Sequence, residues 1–322
     1  MHIIVKRIIK WFVRFASNFV SEGRSHDLER WRRGKEDFWK YKRCDYVFAS
    51  YGKSGRTWVR VMISRYFQGA HNEIPDGIIM GFDNFHKLAP SVPKIFFTHD
   101  NYLRRYTGNE DSRKDFYDCK TVLLVRKPQD VAVSQFFQWK HRMKPYKKAL
   151  NDYPPHDADI SIYDFVMHEG QGLPRIVKVL NEWIRELTRI KNLHVVRYED
   201  LRSHPEAELT KLMSFLGEDV DPKVISETVE FASVENLRKM EKENYFWRSG
   251  SRVQAPDTSN PDSYKVRKAK VGGYRDYFDD EQIASIDGYV DQHLLPGFGY
   301  TSPEQQPQNT AELPQAPAAE SQ

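Results

Sequence analysis

Long apolar runs are missing from this 322-residue chain, and cysteines, metal-ligand spacings and internal repeats are scarce or absent too. Charges interrupt every long apolar stretch, so no segment reads as a membrane span. No uninterrupted apolar core with a small-residue cleavage site marks a signal peptide either. Two cysteines, Cys44 and Cys119, offer no disulfide framework and point to a reducing cytoplasm. Cys and His nowhere fall at ligand spacing, so no metal is expected. The net charge is only +4, and no nucleic-acid partner is expected. The basic residues instead concentrate at the N-terminus and around a few motifs, a focus that polyanionic ligands require.

Aromatic residues make up 13% of the chain, enough for a substantial core in one α/β domain. The first motif lies within residues 44–67, where an apolar strand passes through Gly52-Lys53-Ser54-Gly55 into an amphipathic helix. Such a turn directs backbone amides at an anion, with the helix dipole assisting. Lys53 adds a point charge, and Ser54 and Thr57 add hydroxyl donors. The P-loop of nucleotide triphosphatases needs a glycine five residues before the Gly-Lys-Ser, and Val47 stands there. A second strand is predicted over 120–125, ended by Arg126-Lys127-Pro128-Gln129-Asp130 before a helix over 131–141. Arg126 and Ser134 can then face one site at the open edge of a parallel sheet. A third strand ends in Tyr198-Glu199-Asp200, with a helix over 205–216, and a basic run, Arg267-Lys268-Ala269-Lys270, follows near the C-terminus. Further helices are expected over 22–41, 162–190 and 279–294.

Gly52-Lys53-Ser54-Gly55-Arg56-Thr57-Trp58 closely resembles the 5′-phosphosulfate loop of the PAPS-dependent sulfotransferase family, PAPS being 3′-phosphoadenosine-5′-phosphosulfate. The segment from Arg126 to Ser134 resembles that family's 3′-phosphate segment, and Arg267-Lys268-Ala269 its closing Arg-Lys-Gly segment. The resemblance runs from about residue 45 to 295. It implies a single α/β domain with a central, mainly parallel sheet flanked by helices, a P-loop-like sulfotransferase fold. It also implies sulfuryl transfer from PAPS to an acceptor hydroxyl or amine, the hydroxyl being the expected acceptor. Lys53, Ser54, Gly55, Arg56, Thr57 and Trp58 would hold the 5′ side of the donor, Arg126, Ser134, Arg267, Lys268 and Ala269 the 3′-phosphate, and Tyr198 the adenine. Ala269 replaces the usual glycine and would resist a positive φ. Arg56 stands where a hydroxyl residue is common.

The chemistry assigns two roles. In-line transfer rests on positioning and charge stabilisation, so Lys53 would neutralise the leaving phosphate oxygen. The acceptor's proton needs a base. Thr98-His99 matches the family's Thr-His beside the acceptor, and imidazole titrates near neutrality. A lone histidine at a strand end is ordinarily structural; within this motif order His99 is read as the base. Several family members carry a Lys just before Thr-His, where this chain has Phe97, and Arg104 or Arg105 is the expected substitute. Two other readings are weighed. Val47 speaks against a nucleotide-dependent kinase, and the retained Lys53 and His99 speak against a membrane-associated nucleotide-binding protein without turnover.

Residues 1–43 read as an N-terminal amphipathic helix and a linker helix, 44–300 as the sulfotransferase domain, and 301–322, rich in Pro, Gln and Ala, as a disordered tail. On a helix, Lys6, Lys10 and Arg14 share one narrow face opposite Ile4, Ile8, Trp11, Phe12, Phe15 and Phe19. Residues 1–20 are therefore expected to lie on a membrane surface, with the enzyme cytoplasmic and peripheral on its inner face. That placement points to a lipid or lipid-linked saccharide acceptor. Residues 141–160 and 243–265, the latter with Tyr245, Phe246, Trp247, Arg248 and Arg252, are expected to be mobile covers that select it.

Overall fold

A computed structural model describes residues 22–249 and 253–302; the amphipathic segment over 1–20 and the tail beyond 302 lie outside the described residues. The expected strand–helix alternation is present. Helix α1 (Glu22–Tyr41) precedes β1 (Tyr46–Ser50), α2 (Arg56–Ala70), β2 (Ile95–Thr98), α3 (Tyr102–Thr107), β3 (Lys120–Val125) and α4 (Pro128–Phe137). Then come α5 (Pro145–Leu150), α6 (Ile162–Val166), α7 (Leu173–Ile184), β4 (Asn192–Arg197), α8 (Tyr198–Ser203), α9 (Pro205–Phe215), α10 (Pro222–Phe231), α11 (Val234–Lys242) and α12 (Asp280–His293).

The four strands form one sheet in the order β2-β1-β3-β4, and every pairing is parallel. Parallel neighbours require crossovers, which the intervening helices supply. Side chains alternate across the sheet with period two. Phe48, Val122, Leu124 and Val196 pack on α2 and α9 through Val59, Met62, Ile63, Leu209 and Leu212. Val47, Ala49, Leu123 and Val125 face the other way, onto Val131 and Ala132 of α4, Ile176 and Leu180 of α7 and Ile286 of α12. With both faces covered, the strands are near-continuous apolar runs.

Two boundaries differ from the sequence expectation. The helix expected over 131–141 begins at Pro128, as a proline at the first helical position favours, and gives way to a π turn over Gln138–Arg142. Trp139 in that turn is buried against Phe136 and Phe165 and donates its indole N–H to the Pro154 carbonyl at 2.9 Å, which fixes the extra residue in the turn. At the C-terminus Thr301 is buried and the Ser302 amide donates to Asp291 at 2.8 Å, so packed chain continues past the expected start of the tail.

Candidate functional site

Each strand delivers a candidate residue at its carboxyl end. β1 runs into the Gly52–Gly55 turn, β2 into His99, β3 into Arg126 and β4 into Tyr198. Because the strands are adjacent and parallel, these positions open onto one cleft of about 1250 Å3. Gly52, Lys53, Gly55, Arg56, Thr57, Trp58, His99, Arg126, Ser134, Tyr198, Arg267, Lys268 and Ala269 all line it. Ser54 does not; it is buried beneath the turn.

The turn is built by two left-handed residues, Lys53 at φ 70° and Gly55 at φ 98°. A Cβ at Gly55 would stand 2.6 Å from the Tyr198 ring, so glycine is required there both for conformation and for space. The Trp58 and Val59 amides both donate to the Gly55 carbonyl, at 2.9 and 3.2 Å. The amides ahead of them are those that a helix N-terminus leaves for an anion. Trp58 is anchored by its indole N–H on the Ala232 carbonyl (2.8 Å) and meets the buried Tyr198 ring edge-on, 5.6 Å between centroids. Val47, whose identity breaks the P-loop pattern, is fully buried in the middle of the strand.

Cations crowd the cleft. Lys53 donates to the Gln138 carboxamide oxygen at 3.4 Å, a contact that the π turn makes available. Its ammonium is pushed down to about 7 by burial and by the charges of Arg142, Arg126 and Arg267. Arg126 donates to the Lys53 carbonyl (3.3 Å), lies 4.2 Å from the Tyr198 ring centre and 3.7 Å from Asp130, and keeps a buried Nε with no hydrogen-bond partner among the described residues. Arg267 stacks on Phe137 at 3.7 Å and donates to the Tyr277 hydroxyl. Lys268 is half exposed and pairs with Asp276 at 3.1 Å. Ala269 does adopt the left-handed conformation, at φ 52°.

Four charged groups, Glu241, Arg142, Lys265 and Asp130, enter the cleft's design without having been singled out by motif spacing. Buried Glu241 accepts from the Lys265 amide (2.7 Å), the Val266 amide (3.1 Å) and the Arg142 guanidinium (3.3 Å). One carboxylate thereby holds two cations, from the 141–160 and 243–265 segments, over the cleft. The Lys265 ammonium is driven well below its ordinary range by burial, by Lys53 and by Arg142. Asp130, also buried, accepts from the Gly272 and Tyr274 amides at 2.9 and 3.0 Å and so joins the Arg126–Ser134 segment to the basic C-terminal loop. The sequence signal was the basic content of the two expected covers for Arg142 and Lys265 and a place inside a motif for Asp130; Glu241 had none.

His99 is held in one tautomer. Its Nδ1 donates to the Ser50 carbonyl at 2.9 Å, so Nε2 carries the lone pair, and that lone pair accepts from Arg56 Nη2 at 2.6 Å. Burial and the neighbouring Arg56 push the imidazole down to about 3, the Ser50 carbonyl acting the other way. Two expectations fail. Arg104 is taken by Asp100 (3.1 Å) and Glu182 (3.0 Å), and Arg105 by Asp27 (2.8 Å), so neither stands in for the lysine absent at Phe97. Of the aromatic residues expected to cover the cleft, Phe246 is buried in the core, Tyr245 packs against Phe231, and Trp247 is exposed with Arg248 over its ring.

Known proteins resemble this chain over most of its length. A flavonol 3-sulfotransferase of Flaveria bidentis is 24% identical over 265 residues, covering 78% of this chain and 81% of its own. A flavonol 4′-sulfotransferase of Flaveria chlorifolia is 29% identical over 265 residues, covering 78% and 79%. Among solved structures, a mouse sulfotransferase complexed with PAP covers 78% of this chain and 84% of its own, at 21% identity and a TM-score of 0.48. The model of the sulfotransferase domain matches residues 43–295. With a match over most of its length, the chain belongs to the PAPS-dependent sulfotransferase family.

Proposed function

We propose that the protein transfers the sulfuryl group of PAPS in line to an acceptor hydroxyl, with His99 as base and Lys53 at the leaving phosphate oxygen. The observation that carries this reading is the convergence of Lys53, Arg126, Arg142, Lys265 and Arg267 on one cleft, where burial and the neighbouring cations depress Lys53 and the buried Arg126 Nε has no hydrogen-bond partner among the described residues. Cations held at such proximity repel one another, and a polyanion resolves the repulsion. The turn at Ser54–Thr57 would take the 5′-phosphate on its amides and on the Thr57 hydroxyl. Arg126, Ser134, Arg267 and Lys268 would grip the 3′-phosphate, and Trp58 and Tyr198 would border the adenine.

As the acceptor oxygen approaches sulfur, its proton passes to His99 Nε2, and the Ser50 carbonyl stabilises the resulting imidazolium through Nδ1–H. The bond from sulfur to the bridging oxygen breaks, its electron pair stays on that oxygen, and the Lys53 ammonium neutralises the charge. Tyr51, Gln135, Gln138, Gln171 and Tyr153 also line the cleft and would offer hydrogen-bonding groups to a saccharide hydroxyl. A lipid-linked saccharide is the form that a membrane-surface helix at residues 1–20, peripheral on the inner face, would serve. Among the described residues no helix is long and apolar enough to cross a membrane.

Calorimetric titration with adenosine 3′,5′-bisphosphate, against ADP with magnesium, tests the donor assignment; preference for ADP would overturn it. With labelled PAPS and a panel of free and lipid-linked saccharides, His99→Ala should lose about 10²- to 10⁴-fold in turnover while keeping bisphosphate affinity. Lys53→Ala turning over at the parent rate would refute the mechanism.

A further inference from the structure

The contact between Arg56 and His99 raises a difficulty that the mechanism must solve. A base needs a free lone pair and a pKa near the working pH, yet His99 Nε2 is covered by a guanidinium at 2.6 Å. Arg56 is the first residue of α2 and directly follows the left-handed Gly55, so its backbone belongs to the anion-binding turn while its side chain reaches the base. The charge that family members place beside the base, one residue before Thr-His, is absent because Phe97 packs into the core beneath Arg60. We infer that Arg56 is a second catalytic cation, which caps His99 in the free enzyme and is drawn off by the sulfuryl oxygens of the bound donor, where it stabilises the charge of transfer. The inference rests on the proposed sulfuryl transfer.

The exchange is favourable on charge grounds. A guanidinium bonds more strongly to an anionic oxygen than to a neutral imidazole, and its planar fork spans two sulfuryl oxygens. Its departure uncovers Nε2 for the acceptor proton and removes the nearest like charge from His99. The other groups facing the imidazole are the Ser50 carbonyl from β1, Lys53 from the turn and Lys265 from the chain after α11. On α1, Asp37 lies within electrostatic reach of Arg56. The base is thus deployed only when a donor carrying its sulfuryl group is seated, and the spent bisphosphate, lacking sulfonate oxygens, leaves it capped.

The test follows the His99 ring by NMR, titrating histidine-labelled full-length protein alone, with adenosine 3′,5′-bisphosphate and with PAPS. PAPS should raise the His99 pKa by roughly one unit or more above its value with the bisphosphate. Arg56→Thr, which restores the hydroxyl type common at that position, should raise it in the free protein and abolish the difference between the two nucleotides. With the saccharide panel and labelled PAPS, Arg56→Thr should lose roughly 10²- to 10³-fold in turnover, a larger loss than in its bisphosphate affinity. Arg56→Lys, which keeps the charge without the fork, should recover part of it. Equal His99 titrations with PAPS and with bisphosphate in the parent protein would overturn the inference and leave the donor assignment standing. Failure to bind the bisphosphate at all would overturn both.

Discussion

Donor binding should draw protons into the protein, and Lys53 sets how many. In the free protein its ammonium titrates at about 7 because burial and the charges of Arg142, Arg126 and Arg267 outweigh the single opposing carboxylate, Glu241. At pH 8, one unit above that value, Lys53 is roughly one-tenth charged. Seating a bisphosphate among these cations returns its pKa toward the ordinary lysine range, so binding takes up roughly 0.9 of a proton at that group. Lys265 is depressed by burial and by the same cation crowding. At pH 8 the phosphates are already deprotonated, since their second pKa lies near about 6, so they contribute little. Calorimetry in HEPES and in Tris, whose ionisation enthalpies differ, counts the protons from the difference in apparent heat. In Lys53→Arg, always charged, the uptake should fall by roughly 0.9. The same depression has a stability signature. Between about 7 and 10.5 the unfolded chain holds a proton that the fold has shed, so Lys53 makes stability rise with pH across that window, and the Lys53→Arg protein lacks the rise. No proton uptake at pH 8, or equal uptake in Lys53→Arg, would refute the electrostatic reading of the cleft.

Two substitutions test its supports. Glu241→Gln leaves Arg142 and two backbone amides competing for one carboxamide oxygen in a buried place, so it should cost about 3 kcal/mol in urea unfolding and weaken bisphosphate binding. Ala269→Gly relieves a left-handed alanine, worth about 1–2 kcal/mol, against a glycine backbone cost of about 0.5–1 kcal/mol. The net should be a small gain in melting temperature with donor affinity unchanged or improved, and a clear loss of stability would contradict the assigned conformation.

Much of this architecture was legible because its signals are local. The β-branched run of Lys120–Val125 and the Gly-Lys-Ser-Gly turn each announce themselves within a few residues, and parallel pairing then carries their ends to one edge. What escaped detection depends on distant partners. Nothing in Gln138–Arg142 distinguishes a π turn from a continued helix; packing of Trp139 on Phe165 decides it. Arg104 looks available until the fold brings Glu182 to it, 78 positions away. Arg56 reads only as a residue of the donor-binding turn until β1–β2 register sets His99 beside Ser50, within its reach.

The two amide bonds that Asp130 accepts span 142 and 144 positions of sequence. A ribosome releases all four strands, the anion-binding turn and Arg126 well before Gly272 and Tyr274 emerge. Through that interval the nascent sheet carries its cations with the clamp open, and Arg267 and Lys268 have no anchored loop to present them. Nucleotide capture therefore waits for the segment that carries Gly272 and Tyr274. Retention of ribosome-released fragments on a bisphosphate resin should begin only at lengths that include Tyr274, which makes donor affinity a marker of the closed clamp.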